Sequence, residues 1–233
     1  MLSIIIPVYN YERNIRKNVE IIERKIKSYF NKYEIIIVDD GSNDNTLNNL
    51  KKIVSKNIRI LKNKKNIGKS YSISKALKVS KGEKIFFYDC DLPYFYKIDQ
   101  FLNLLRKNDF VAIDRKNKNS KLIRNKNNLY QFLRHFIGNL VSIIINIFLN
   151  LNLLDTQAGM KGFKNLKELK KHNFISKRFF FDIELICYMK TKNIKLKKIP
   201  INYEINKESS IRFFDLKNFE IFFELIRVLI RYS

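Results

Sequence analysis

Lys84-Ile85-Phe86-Phe87-Tyr88-Asp89-Cys90-Asp91 decides how this chain is read. Lys84 to Tyr88 is a short apolar run, as expected of a strand buried on both faces. Two carboxylates one residue apart close it. At the carboxyl end of a strand in an open α/β sheet, where ligands bind, such a pair suits a hard divalent cation that keeps places free for phosphate oxygens. Alone, the tripeptide also fits a solvated turn.

Outward from this run, the first half alternates strand and helix. Ser3 to Tyr9 and Glu34 to Val38 are continuous apolar strands. Ile58 to Leu61 and Phe110 to Ile113 are shorter ones. Between them, Arg13–Phe30, Asp44–Val54, Gly68–Val79 and Ile98–Arg106 carry helical patterning, with Asp44 as a cap. Short connections between such elements predict a mostly parallel, Rossmann-like sheet with helices on both faces. Three strands end in polar residues: Tyr9-Asn10, Asp39-Asp40 and Asp89–Asp91. The handedness of the crossovers puts all three at one sheet edge.

The second half is less regular. Residues 116–128 read as a basic loop, and Leu129 to Leu154 as one long helix or two. Asp155 to Phe163 is a glycine-punctuated segment. Phe179 to Met189 is a compact apolar run holding Asp182 and Glu184. Lys195 to Tyr203 reads as an edge strand, where Pro200 is tolerated, and Phe213 to Tyr232 as an amphipathic helix.

The 233 residues contain 46 Lys and Arg against 22 Asp and Glu, a formal net charge of +24. That excess favours anionic partners such as phosphorylated substrates or lipid headgroups. The basic residues are scattered and form none of the common nucleic-acid-binding motifs, so nucleic acid is not an expected partner. Cys90 and Cys187 match no metal or redox spacing. With an N-terminus that enters a strand at once, they lead us to expect a reducing, cytoplasmic setting. Val141 to Leu154 is too short and too interrupted by Asn to span a bilayer.

Five blocks in order, SIIIPVYNYERNI (3–15), EIIIVDDGSNDNT (34–46), NKKNIGKSYSISKAL (63–77), FFYDCD (86–91) and DTQAGMKGF (155–163), resemble family 2 glycosyltransferases. The likeness is greatest to the dolichyl-phosphate mannose synthase branch and covers roughly residues 3–212. It implies a GT-A catalytic domain over residues 1–212, followed by an amphipathic helix over 213–233 at a membrane surface. It implies a nucleotide-sugar donor, Mg²⁺ or Mn²⁺, and inversion at the anomeric carbon.

By the same resemblance, Pro7, Tyr9 and Asp40 lie against the nucleoside with Asp39 beside them. Asp89 and Asp91 meet the diphosphate through the metal. Lys69, at the start of a helix, suits an anion. Arg115 and Arg134 steady phosphates, Lys161 is a similar candidate, and Asp182 among aromatics is the acid placed where relatives acting on sugar hydroxyls keep a base. The apolar residues Leu140, Ile144, Ile145, Phe148 and Leu149 would form part of a lipid groove.

Three positions depart from the branch: Tyr11 where relatives have Glu, Pro93 where they have Gln, and Ser210 where they have Lys. The expected activity is transfer of a hexose, mannose from GDP-mannose first, to a polyprenyl phosphate at the cytoplasmic face of the membrane. The attachment would be peripheral, with a membrane-embedded partner chain left open. The alternatives are transfer to a cell-surface glycan hydroxyl, with Asp182 as base, and a non-catalytic nucleotide-sugar or membrane-binding module.

Overall fold

A computed structural model describes residues 1–123, 129–151, 153–203 and 217–233, without the side chains of 129–137, 139 and 217–219. The chain runs β1 (Leu2–Val8), α1 (Ile15–Lys27), β2 (Tyr33–Asp39), α2 (Thr46–Lys51), β3 (Ile58–Lys62), α3 (Lys69–Val79) and β4 (Lys84–Tyr88). A single 3-10 turn, Phe95–Lys97, leads into α4 (Ile98–Lys107) and β5 (Phe110–Asp114). Then follow β6 (Lys121–Leu122), α5 (Leu129–Leu149), β7 (Met160–Lys164), α6 (Lys167–Lys171), α7 (Phe181–Thr191), β8 (Lys197–Pro200), β9 (Asn202–Tyr203) and α8 (Lys217–Tyr232).

Seven strands form one sheet in the order β3-β2-β1-β4-β7-β5-β8. All neighbours are parallel except those of β7, which runs antiparallel to both β4 and β5. The apolar runs of β1, β2 and β4 are buried on both faces, as central strands require. Pleating sends Ile4, Ile6, Ile35, Ile37 and Phe86 to one side, where α1 and α4 cover them. Ile5, Ile36, Val38, Ile85 and Phe87 point the other way, beneath α3, α5, α7 and α8. In α1 the buried residues are Ile15, Val19, Ile22 and Ile26, the stripe that helical spacing predicts. Burying each such side chain contributes about 1.5–3 kcal/mol.

Four differences from the sequence reading have physical causes. The glycine-punctuated segment becomes a strand, β7, although Met-Lys-Gly-Phe-Lys carries no apolar run. The expected edge strand over 195–203 divides in two: β8 lies at the sheet edge, and β9 pairs with β6 in a separate ribbon inside the stretch read as loop. Helix α2 starts at Thr46 rather than Asp44. The Asp44 carboxylate still serves its first turn, accepting from the Thr46 and Glu12 backbone N–H groups. On α5, Ile145 and Leu149 are buried, whereas Leu140, Ile144 and Phe148 are exposed, so the five do not form one groove.

Helix α8 packs in the same core through Val228, which is fully buried. Among the described residues no helix is long and apolar enough to cross a membrane.

Candidate active site

Because β7 is antiparallel, its start lies beside the end of β4: Tyr88 pairs with Met160 and Phe87 with Lys161. The Asp89 N–H donates to the Gly159 carbonyl at 3.2 Å. A methyl group on Gly159 would stand 2.2 Å from Asp89 Oδ2, so only glycine lets the two segments approach this closely. Asp89 Oδ1 meets the Lys69 ammonium at 2.6 Å. Burial pulls the Lys69 pKa down, but the charges of Asp89, Asp182 and Asp91 outweigh it and leave it above the ordinary lysine value.

Asp91 is exposed, and no ion pair engages it among the described residues. Crowding by surrounding protein, then the Asp89 charge, raises its pKa. Leu92 and Tyr94, just beyond, both have left-handed backbone conformations (φ 56° and 59°). The Tyr88 hydroxyl ties this loop by donating to the Pro93 carbonyl at 2.8 Å. Non-glycine residues held there cost about 1–3 kcal/mol each, a pattern common at functional sites. No third acid or histidine joins Asp89 and Asp91 among the described residues. As oxygen donors they fit Mg²⁺ or Mn²⁺, with coordination places left for phosphate oxygens and water.

The two carboxylates after β2 differ. Asp40 spends its oxygens internally: Oδ1 accepts from Asn63 Nδ2 at 2.7 Å and the Ile67 N–H at 3.1 Å, Oδ2 from the Gly68 N–H at 2.8 Å. Those bonds fix Asp40 at the end of β2, against the loop that leads into α3. Asp39 Oδ1 accepts from the Ser42 N–H at 3.1 Å, while its buried Oδ2 has no partner. Pro7 is buried within β1 beside Val38, and the Tyr9 side chain is 43% exposed at the same edge.

The start of α3 is also committed. Gly68 adopts φ 130° against the Lys177 carbonyl, where a Cβ would come within 2.4 Å. Ser70 and Tyr71 donate their N–H groups to the carbonyls of Arg178 and Lys177. The helix N-terminus is therefore closed by protein, and the Lys69 side chain is what it offers an anion. Glu224 of α8 accepts in turn from the Ser176 hydroxyl and the Arg178 N–H.

Lys161 and Asp182 form a buried ion pair at 2.7 Å, with side chains 0% and 4% exposed. Lys161 Nζ also donates to the Ala158 carbonyl at 2.5 Å. Burial raises the Asp182 pKa against the pull of Lys161 and Lys69. Neither group is presented to solvent, and each is the other's charge partner. Arg115 is likewise engaged: its Nε and Nη2 donate to Asp155 at 2.8 and 2.6 Å. Asp155 has no role in the sequence reading; its signal there is a carboxylate that opens the glycine-rich segment 155–163. Arg134 falls within α5, but its side chain, like Ser209, Ser210 and Arg212, lies outside the described residues.

The model of glycosyl transferase family 2 matches residues 3–169. The chain belongs to that family. It is 27% identical over 221 residues to a dolichyl-phosphate beta-glucosyltransferase of Dictyostelium discoideum, covering 87% of this chain and 66% of that protein. A dolichyl-phosphate beta-glucosyltransferase of Saccharomyces cerevisiae matches with the same figures. The chain thus spans just under two thirds of the length of these relatives. Glucosyl-3-phosphoglycerate synthase of Mycobacterium tuberculosis, solved with Mn²⁺, uridine diphosphate and phosphoglyceric acid, superposes with a TM-score of 0.66 at 14% identity. That match covers 98% of this chain and 78% of the synthase, and it shows the shared GT-A fold.

Proposed function

We propose that this family 2 chain transfers glucose from UDP-glucose to a polyprenyl phosphate of the dolichyl type, with inversion. The observation that carries the reading is similarity along 87% of the chain to proteins named as dolichyl-phosphate beta-glucosyltransferases. Those names favour glucose over the mannose expected of the sequence. Uridine comes from the nucleotide bound by the structural neighbour, itself a glucosyl transferase by name.

The geometry is compatible with this chemistry. A cation on Asp89 and Asp91 would neutralise charge on the departing nucleoside diphosphate. Asp39 Oδ2 is buried and unpartnered, and it would accept from a base N–H or ribose hydroxyl once the Asp39–Ser42 turn shifts to admit the nucleoside. Lys69 supplies a positive charge at the diphosphate side. An acceptor phosphate is already an anion and needs no base, which agrees with Asp182 being paired to Lys161. The same pairing counts against the glycan-hydroxyl alternative. Exposed Ile147 and Phe148 on α5, with Phe222 and Phe223 on α8, suit peripheral seating at the cytoplasmic membrane face.

Nucleoside diphosphate release by the purified chain tests the reading. UDP-glucose, GDP-mannose and UDP-N-acetylglucosamine are each offered with Mg²⁺ or Mn²⁺, with and without polyprenyl phosphate in detergent. We expect release from UDP-glucose that requires the lipid phosphate. Release from GDP-mannose would restore mannose as the sugar, and release indifferent to lipid would favour a hydroxyl acceptor. Silence with every donor, persisting after membranes are added to supply a partner chain, would overturn the proposal.

A further inference from the structure

We propose that Lys69 holds the divalent cation's place on Asp89 until a nucleoside diphosphate arrives, so that metal and donor bind together while metal alone binds weakly. The inference rests on Asp89 and Asp91 being the metal ligands.

The Asp89 side chain is 28% exposed, and Gly159, having no Cβ, leaves room beside its Oδ2. Its Oδ1 carries the Lys69 ammonium at 2.6 Å. Mg²⁺ must approach an oxygen to about 2.0–2.1 Å. A cation on either oxygen of this carboxylate stands close to the ammonium, and repulsion between the two weakens the metal's hold on Asp89. Asp91 then carries most of the binding, and a single exposed carboxylate is a poor site.

The ammonium cannot retreat with its backbone. Gly68 is pinned by Asp40 on one side and lies against the Lys177 carbonyl on the other, and the Ser70 and Tyr71 N–H groups are bonded to the 178 and 177 carbonyls. Only the flexible four-carbon stem can swing. It swings readily when another anion is offered nearby, and a diphosphate is that anion.

Charge balance points the same way. Asp89, Asp91 and Asp182 against Lys69 and Lys161 leave the cluster at minus one. A bare dication turns it positive with Lys69 still present. A dication arriving with a diphosphate does not, and it gives Lys69 a new partner.

The test is Mn²⁺ binding, read as loss of the free-ion electron paramagnetic resonance signal, with and without UDP. Wild type, Lys69→Met, Lys69→Gln and Lys69→Arg are compared after thermal melting verifies that each is folded. Wild type and Lys69→Arg should bind Mn²⁺ about tenfold or more tightly with UDP than without, within the usual range of coupling between two ligands. Lys69→Met and Lys69→Gln should bind Mn²⁺ alone about tenfold more tightly than wild type and gain less from UDP than wild type does. A folded neutral variant that binds Mn²⁺ no better than wild type overturns the placeholder role while leaving the metal site intact. Mn²⁺ binding with UDP that survives in the Asp89→Asn/Asp91→Asn double variant removes the metal site itself, and the placeholder with it.

Discussion

Arg115 clasps Asp155 with two side-chain hydrogen bonds of 2.8 and 2.6 Å, and its own backbone N–H donates to the same carboxylate at 2.8 Å. Asp155 is 2% exposed, whereas the Arg115 side chain is 31% exposed. The pair therefore joins the end of β5 to the segment that leads into β7, and one face of the guanidinium remains open. Asp155→Ala should cost about 2–3 kcal/mol in urea unfolding, less than a fully buried broken pair because water reaches Arg115. Burial raises the Asp155 pKa, but Arg115 outweighs it and holds it below the ordinary value. A depressed carboxylate pKa stabilises the fold above the unfolded value, about 3.9, and that stability fades as pH falls through the folded pKa. Unfolding profiles of wild type and Asp155→Ala should thus converge only in acid below about pH 4.

The Lys161–Asp182 pair makes a sharper stability prediction. Removing one partner leaves an unpaired charge in a fully buried site, so Asp182→Leu should cost about 3–5 kcal/mol. The double variant Lys161→Met/Asp182→Leu should recover most of that loss. A double-mutant cycle in urea measures the coupling. Recovery of less than about a third would mean that the two residues act separately.

Gly159→Ala tests the approach of β7 to β4. Its methyl would overlap Asp89 Oδ2, so the carboxylate must move. Transfer should fall about tenfold or more, since small misplacements of a reacting group are costly. The midpoint of unfolding should shift by only a few degrees, measured by calorimetry.

The neighbours Asp39 and Asp40 should separate cleanly. Asp40→Asn places an amide N–H₂ against donors that need an acceptor, costing about 1–3 kcal/mol of stability. Asp39→Asn loses no bond at its partnerless oxygen. It should leave the unfolding midpoint nearly unchanged and raise KM for the nucleotide sugar, as steady-state kinetics will show.

What was legible in the sequence follows from how each element is buried. β1, β2 and β4 are covered on both faces, so their apolar runs announced them, and Asp39 and Asp89 could be placed at strand ends without coordinates. β7 escaped because its buried positions include Lys161 and Gly162, and a lysine is hidden there only by virtue of Asp182, twenty-one positions later. Arg115, Lys161 and Asp182 stand out as candidates in the sequence, but their pairings do not. Pairing is a property of the assembled sheet and leaves no periodic trace in the chain.

The position of β7 also bears on how this molecule is made. β4 and β5 are near in sequence, yet β7 lies between them and must be inserted from a segment that follows both, Met160–Lys164. Until Met160–Lys164 is synthesised, one edge of β4 and one of β5 expose unpaired backbone groups, and the pocket around Asp89 lacks a wall. Sheet closure therefore depends on contacts distant in sequence, which form slowly and leave strand edges open to other chains meanwhile. Newly made chains should be most prone to aggregation in that interval, before the central antiparallel strand slots in.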